Sequence, residues 1–458
     1  MGHRLASVDT AVLVERLWAR DATLWTGDDE AQWLGWLDEP LRMQERVPDL
    51  LVFAEEAAVF ADVVLLGMGG SSLAPEVIRR ALGAERFHVL DTTHPAAVRR
   101  LAGALDVGRT LFLVASKSGT TLETRCHLDF FWEAAGGRGD QFAAITDPGS
   151  ELEALAEERA FRAVFPGEPT IGGRYSALSA FGMVPAALLG VDLATLLERA
   201  GEMLDACRSE ENPGLDLGLA LGAAWQEGRD KVVVPEAGGF GLWLEQLLAE
   251  STGKQGKGLV PAPGESPEGA DRQAYEVRAG PAEELGAEFY RWEFATAVAG
   301  SILGVNPFDQ PNVQEAKDRT TDVLSDHRPV PGTGTGPEGT VEELLAGAEP
   351  PTYVAIQAFV DPAREAELEP LVARARETGC VVTVGLGPRY LHSTGQLHKG
   401  GPATARFVQV VDDPGEELPI PGRDFGFTRL IGAQAAGDFT ALHERGRPIV
   451  RIRLEDIA

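Results

Sequence analysis

Short, uniformly apolar runs alternate with amphipathic stretches between residue 62 and about residue 166. A short apolar run bounded by turn residues is typical of a strand buried on both faces, and alternation of such strands with helices is typical of a parallel sheet. The pattern therefore predicts an α/β fold with a doubly wound parallel sheet. The predicted strands are Val63–Leu66, Phe87–Leu90, Leu111–Ala115, Gln141–Ile145 and Arg162–Phe165.

The second half of the chain repeats the pattern more sparsely. Its predicted strands are Lys231–Val234, Tyr353–Phe359, Val381–Gly385, Phe407–Val411 and Ile449–Ile452. We assign them to one sheet, because the last four strands with only two helices would make a thin independent domain. Beyond the helices that connect the first strands, helices are predicted at about 176–190, 192–206, 213–227, 239–250, 288–303, 313–324, 362–378 and 429–445.

Residues 9–60 place apolar side chains, several of them tryptophan, at helical spacing, which predicts a helical cover. A Pro/Gly-rich segment that begins at Arg328 is typical of a linker. These features divide the chain into a helical N-terminal cover (1–60), a first sheet domain (61–228) and a second sheet domain (229–458), with a linker at about 327–340.

The composition limits the kinds of molecule that the protein is expected to bind. The formal net charge of −29 argues against a nucleic-acid surface, which requires clustered Lys and Arg. The three cysteines have neither disulfide-rich nor metal-ligand spacing, so we expect a cytoplasmic protein without a metal site. The N-terminus has no signal-peptide pattern, and no apolar stretch is long enough to span a membrane.

Two loops at strand ends carry hydroxyl groups. The run 111–115 is followed at once by Ser116, Lys117, Ser118 and Thr121, and Thr120 with Glu123 has the spacing of a capping box that would begin a helix. Backbone N–H groups and hydroxyls at a helix N-terminus favour an anion, most often phosphate. An ordinary strand-to-helix connection, with Ser, Thr and Gly in structural roles only, explains a single such loop equally well.

The loop after the first strand, Gly-Met-Gly-Gly-Ser-Ser at 67–72, strengthens the phosphate interpretation. Its glycines allow close backbone approach, and Gly70 and Ser71 lie where a ligand would reach the sheet edge. The spacing differs from the Gly-x-Gly-x-x-Gly of dinucleotide-binding folds, so it does not predict a nucleotide cofactor.

Several ordered motifs between about residues 60 and 320 resemble those of the glucose-6-phosphate isomerase family, whose members are built from two sugar-isomerase (SIS) domains. The motifs are Gly-Met-Gly-Gly-Ser-Ser-Leu-Ala-Pro (67–75), Ser-Lys-Ser-Gly-Thr-Thr-Leu-Glu-Thr (116–124), Gly-Gly-Arg-Tyr-Ser (172–176), Glu-Ser-Thr-Gly-Lys (250–254) and Phe-Asp-Gln-Pro-Asn-Val-Gln-Glu-Ala-Lys (308–317). The tail resembles the isomerase half of bacterial transaldolase/glucose-6-phosphate isomerase fusions. The resemblance implies two SIS-like, flavodoxin-like domains.

The resemblance also implies roles for individual residues. Glu250 would be the base that moves a proton between C2 and C1 through a cis-enediol(ate), although a solvated glutamate at a helix end is the more common fate of this residue type. Arg174 would stabilise the enediolate, and Lys317 would assist ring opening. The expected substrate-binding residues are Gly70, Ser71, Ser116, Lys117, Ser118, Thr121, Glu123, Gly173, Gln310 and His392.

Histidine is where this chain departs from the family. The family's ring-opening histidine follows the glutamate motif by a few tens of residues, yet residues 258–326 contain no histidine. The comparable segment, Gly-Gln-Leu-His at 395–398, lies far downstream, which predicts a permuted second domain. Protonation of a ring oxygen suits histidine, so we choose His398 and, second, His392. Two loop histidines bonded to nearby carbonyl groups are the alternative.

The function expected from the resemblance is the interconversion of D-glucose 6-phosphate and D-fructose 6-phosphate, with a small-molecule sugar phosphate as the ligand and no cofactor, metal, nucleic acid or membrane. A homodimer with a shared site is also implied. A non-catalytic SIS-type protein that binds or senses sugar phosphates is the second hypothesis. Activity on a related phosphosugar, such as mannose 6-phosphate, is the third, because selectivity at one hydroxyl depends on pocket geometry.

Overall fold

The protein is described by a computed structural model that covers residues 10–209, 211–236, 238–278, 280–312, 319–320, 323–324 and 339–457. Its strands are β1 Asp62–Gly67, β2 Phe87–Leu90, β3 Thr110–Ala115, β4 Phe142–Thr146, β5 Ala163–Pro166, β6 Lys231–Val234, β7 Val260–Pro263, β8 Arg272–Ala274, β9 Tyr353–Phe359, β10 Val381–Leu386, β11 Ala405–Val411 and β12 Ile449–Arg453. Its α-helices are α1 Thr10–Trp18, α2 Glu39–Ala57, α3 Leu73–Leu82, α4 Pro95–Ala104, α5 Leu122–Ala134, α6 Glu151–Glu158, α7 Ala180–Leu188, α8 Leu193–Ala206, α9 Pro213–Gln226, α10 Phe240–Thr252, α11 Leu285–Leu303, α12 Val341–Leu345, α13 Glu369–Arg376, α14 Gly395–Gly400 and α15 Phe427–Glu444.

The first sheet is parallel, with the strand order β2-β1-β3-β4-β5. All six residues of β3 are buried, including the five of the predicted apolar run Leu111–Ala115. The order is that of flavodoxin-like folds, in which the direction of strand addition reverses between β1 and β3 and ligands bind beside the carboxyl ends of those strands. Gly67 at the end of β1 pairs with Ala115 at the end of β3, so the two hydroxyl-bearing loops emerge side by side. The predicted doubly wound α/β class is confirmed.

The prediction that the strands of the second half form one hydrogen-bonded sheet is wrong. Strand β6 pairs with β7 and β8, whereas β9 to β12 form their own parallel sheet in the order β10-β9-β11-β12. Prolines at 261 and 263 concealed β7, because proline fits only at a sheet edge. The two sheets still adjoin, since β7 contacts β10 and both contribute to one apolar cluster that includes Val260 and Tyr353.

Helices form the layer that joins the sheets. Helix α11 packs on α8, α9 and α10, and α2 packs on α7 and α8. The N-terminal cover is helical, as predicted, and Trp36 from it stacks on Tyr175 with ring centroids 5.2 Å apart. One apolar core includes residues on both sides of position 228, so the boundary at 228/229 stays a prediction. Within the described ranges, no helix has the length and apolar content needed to cross a membrane.

Candidate active site

The loop after β1 is the place where three other segments converge. Gly69 has φ +55°, and a Cβ there would lie 2.8 Å from the His392 carbonyl oxygen and 3.0 Å from Gln246 Nε2. A Cβ on Gly70 would lie 2.0 Å from the carbonyl oxygen of Gly173. Glycine is therefore required at both positions, because neighbouring segments pack too closely to leave room for a Cβ atom. At Gly70 this close packing brings the predicted loops 69–72 and 172–176 into contact.

The loop after β3 presents paired hydroxyl groups. Ser116 Oγ and Thr121 Oγ1 are 3.0 Å apart, and Ser118 Oγ and Thr120 Oγ1 are 2.9 Å apart. Helix α5 begins at Leu122 with Thr121 as its N-cap residue, and the Thr121 hydroxyl makes no capping bond to the helix. The hydroxyls and the N-terminus of α5 thus lie together beside Ser71 at the flavodoxin-like switch point, where they can receive an anion.

Lys117 does not join these hydroxyls. Its ammonium group contacts the Asp147 carboxylate and donates to the carbonyl oxygens of Glu168 and Pro169 at 3.2 and 3.3 Å. Burial raises the pKa of Asp147, and Lys117 opposes that shift. The predicted substrate contact of Lys117 is therefore not supported: the side chain ties the hydroxyl loop to the neighbouring strand ends instead.

Glu250 lies on the last turn of α10, facing inward. Its side chain is buried, and Oε2 lies 3.3 Å from Arg174 Nη1 and 3.1 Å from Gln246 Nε2. Glu250 is thus not the solvated helix-end glutamate of the alternative interpretation. A buried carboxylate beside a buried guanidinium can accept a proton while the guanidinium stabilises negative charge on a bound molecule.

Arg174 is fixed by the segment that follows α11. Its guanidinium donates to the Pro307 carbonyl oxygen at 3.2 Å, the Asp309 carbonyl oxygen at 2.7 Å and Gln310 Oε1 at 3.2 Å. Two of the predicted site residues, Arg174 and Gln310, are therefore in direct contact. The planar, many-donor guanidinium is suited to such a set of acceptors.

Lys254 holds the same segment from the other side by donating to the carbonyl oxygens of Asn306 and Asp309. Burial and the charge of Arg174 lower the pKa of Lys254 to about 7, while Asp309 and Glu250 act in the opposite direction. Lys317, the predicted ring-opening lysine, lies outside the described residues.

Gln246 was missed by the sequence analysis. Its Nε2 atom donates both to Glu250 Oε2 and to the His392 carbonyl oxygen, the latter at 2.9 Å, and its buried Oε1 has no hydrogen-bond partner among the described residues. Its position four residues before Glu250 places both side chains on one face of α10, and that spacing was the signal available in the sequence.

His392 is the histidine that the structure brings to this site. His392 Nε2 lies 3.0 Å from Glu123 Oε1, and the backbone of His392 packs against Gly69. The capping box predicted from Thr120 and Glu123 is wrong, because the N-cap residue of α5 is Thr121, and its side chain makes no capping bond. Glu123 therefore belongs to the predicted site, with His392 as its partner.

His398, our first choice from the sequence, is placed elsewhere. It is buried with its ring against Tyr390 and Phe407, and its Nδ1 pairs with Gln357 Nε2 at 3.0 Å. Burial, and secondarily the charge of Lys399, lower the pKa of His398 to about 3, so the ring is uncharged near pH 7. The structure therefore contradicts the assignment of His398 as proton donor, because helix α14 turns its side chain into the core of the second half.

A metal site is not among the arrangements found. Within the described part of the chain, no three or more His, Cys, Asp or Glu side chains are grouped as a metal ion would require.

Sequence comparison relates this chain to known proteins over part of its length. Residues 54–227 match the family model described as phosphoglucose isomerase. A glucose-6-phosphate isomerase of Nostoc sp. is 34% identical over 270 residues, which cover 55% of this chain and 51% of that protein. One of Synechococcus sp. is 38% identical over 217 residues, covering 43% of this chain and 40% of that protein. The chain spans about half the length of the curated relatives it matches.

Structure comparison extends further along the chain. A hypothetical protein of Thermus thermophilus is similar with a TM-score of 0.50 and 22% identity, over 98% of this chain and 84% of that chain. A glucose-6-phosphate isomerase of Chlamydia trachomatis is similar with a TM-score of 0.52 and 20% identity, over 69% of this chain and 79% of that chain. These likenesses support the fold.

Proposed function

We propose that this chain belongs to the phosphoglucose isomerase family, whose model matches residues 54–227, and that it is an aldose–ketose isomerase that interconverts D-glucose 6-phosphate and D-fructose 6-phosphate. The observation that carries the proposal is the buried pairing of Glu250 with Arg174, 3.3 Å apart, beside a loop that also contacts the hydroxyl-bearing segments. A protein that only binds a sugar phosphate has no need of a buried carboxylate held by a guanidinium.

The substrate phosphate binds at the switch point of the first sheet. Ser71, Ser116, Ser118 and Thr121 supply hydroxyl donors, and the N-terminus of α5 adds its positive dipole end. With the phosphate fixed there, the carbon chain extends toward Gln246 and Glu250, because Gly69 in the adjoining loop packs against the Gln246 side chain.

Proton transfer follows on the open-chain sugar. The Glu250 carboxylate takes the proton from C2 of the aldose, the C1 carbonyl oxygen gains negative charge, and a cis-enediolate results. Arg174 stabilises that charge from a position fixed by three hydrogen bonds, so no reorganisation is needed when the charge develops. The proton of the C2 hydroxyl passes to the C1 oxygen, and Glu250 delivers its proton to C1 as the C2 carbonyl forms, which gives the ketose.

Ring opening is assigned to His392, with Glu123 as its partner. Glu123 Oε1 accepts a hydrogen bond from His392 Nε2 at 3.0 Å, which orients the imidazole. The imidazole gives a proton to the ring oxygen as the bond between that oxygen and the anomeric carbon breaks, and it takes up the proton of the anomeric hydroxyl as the free carbonyl forms. All of these side chains lie on one chain, and the homodimer implied by the resemblance stays a prediction.

The direct test is an assay in which conversion of fructose 6-phosphate is coupled to NADP reduction by glucose-6-phosphate dehydrogenase, with and without EDTA. We expect conversion at the same rate in both conditions. No conversion of either hexose 6-phosphate would refute the proposed activity, and a rate that falls with EDTA would refute a metal-free mechanism. Mannose 6-phosphate, tested in parallel, addresses the related-sugar hypothesis.

The phosphate loop yields a first prediction. Replacing Ser116 and Thr121 together by alanine should raise KM for fructose 6-phosphate roughly tenfold to hundredfold and lower kcat less than about threefold, because hydrogen bonds to a charged group are lost equally in the ground and transition states. Steady-state kinetics measure both constants. Ser209→Ala, which removes a hydroxyl after α8, is the control, and an unchanged KM in the double variant would exclude this loop as the phosphate site.

His392 yields a second prediction. His392→Ala should lower turnover of fructose 6-phosphate by about 10²-fold, the scale of a lost general acid. In D₂O, exchange at C1 of 5-deoxyfructose 6-phosphate, which cannot close to the furanose, should fall less than about threefold because no ring must be opened. His443→Ala, at an exposed histidine that stacks on Phe439, is the matched control. Equal losses with both sugars would reject the ring-opening role.

A further inference from the structure

Gln434, on helix α15, lies next to the pair formed by His392 and Glu123 and was not part of the sequence-based site. Its side chain is 2% exposed, and its Nε2 atom donates to Glu123 Oε1 at 2.7 Å. Its Oε1 atom accepts a hydrogen bond from Thr93 Oγ1 at 2.6 Å. A buried amide with both ends bonded is held in one orientation.

The chemistry of the partners determines that orientation. An ionised carboxylate can only accept, so the amide nitrogen of Gln434 must face Glu123, and the amide oxygen must face the hydroxyl of Thr93. Thr93 is fully buried in the loop between β2 and α4, so it is a fixed anchor for the amide.

Glu123 Oε1 therefore accepts hydrogen bonds from two donors at once. The same oxygen accepts from Gln434 Nε2 and from His392 Nε2 at 2.7 and 3.0 Å. The position of that oxygen sets the plane and direction of the imidazole. Gln434 belongs to the helix that packs between the two halves of the chain, since α15 contacts β9 and β12 while Gln434 reaches Glu123 on α5.

We propose that Gln434 is a positioning residue for ring opening: it fixes the Glu123 carboxylate, and through that carboxylate it fixes His392. The proposal rests on the proposed isomerase function. Gln434 has no hydrogen bond to Glu250 or Arg174 among the described contacts, so its loss should affect ring opening and leave proton transfer at C1 and C2 in place.

The experiment compares a cyclic and an open-chain sugar in the Gln434→Met variant, which keeps the length of the side chain and removes the donor. Turnover of fructose 6-phosphate should fall roughly tenfold to hundredfold, the range for one hydrogen bond to a charged group. Deuterium exchange at C1 of 5-deoxyfructose 6-phosphate should change less than about twofold. Gln141→Met is the matched control, because Gln141 is equally buried and its amide donates to the Thr110 carbonyl oxygen instead. It should leave the ratio of the two rates unchanged.

Parallel losses with both sugars, or no loss with either, would overturn the role of Gln434. If Gln434→Met does not fold, Thr93→Val removes the anchor of the amide, and it should shift the same ratio in the same direction by a smaller factor. An inactive wild-type protein would count against the proposed function itself. An active wild-type protein with an unchanged ratio in the Gln434 variant would count against this inference alone.

Discussion

Replacing Glu250 by glutamine should lower the interconversion of glucose 6-phosphate and fructose 6-phosphate by about 10³-fold or more, at the upper end of what a general base contributes. The amide has the shape of the carboxylate and can still meet Arg174 Nη1 and Gln246 Nε2 through its oxygen, but it cannot take a proton from carbon. Binding should persist, and we expect the Kd for the sugar phosphate to change less than about threefold.

Two measurements separate chemistry from binding in this variant. Deuterium exchange at C1 of 5-deoxyfructose 6-phosphate should disappear together with turnover, because both require the same base. Calorimetric titration should still detect sugar-phosphate binding. Glu288→Gln is the control, since Glu288 is also a buried helical glutamate with an arginine partner, Arg291, at 3.2 Å. Turnover within about tenfold of wild type in Glu250→Gln would remove this residue as the base.

The sequence motifs indicated Glu250, Arg174 and the hydroxyl-bearing loops, but the sequence placed His398 ahead of His392 as the ring-opening histidine. The glutamate and arginine motifs and the hydroxyl loops each stand at a turn next to a strand or helix, so local pattern and resemblance locate them. The choice between His392 and His398 depended on a short loop. Its 3-10 turn at Arg389–His392 and the helix α14 point the two imidazoles in different directions, and no periodic pattern encodes that difference.

Residues that act through contacts between distant segments were not predictable from one sequence. Gln434 lies 311 positions from Glu123, and Thr93 lies 341 positions from Gln434. Neither residue belongs to a motif, and nothing in the local sequence distinguishes them from ordinary helix or loop residues. Strands β7 and β8 were not predicted for a local reason. Two of the four residues of β7 are proline, and β8 is only three residues long.

The loop that carries His392 is anchored by a buried ion pair, which gives the second large expected effect. The Lys399 ammonium group contacts Asp438 Oδ1, and Tyr390 donates from its hydroxyl to Asp438 Oδ2 at 2.6 Å. Burial and the charge of Asp438 raise the pKa of Tyr390, so the phenol stays the donor. One aspartate on α15 thus holds both ends of segment 390–399, and His392 lies between them.

Asp438→Asn should lower the free energy of unfolding by about 3–5 kcal/mol, because it leaves the Lys399 ammonium buried without a counter-charge. Urea denaturation measures the loss. Adding Lys399→Met should restore most of it, since removing both charges of a buried pair is far less costly than removing one. Arg453→Gln, which breaks the exposed pair with Asp456, is the control and should change the free energy of unfolding by less than about 1 kcal/mol. A loss below about 1 kcal/mol in Asp438→Asn, or no recovery in the double variant, would show that this ion pair does not anchor the loop.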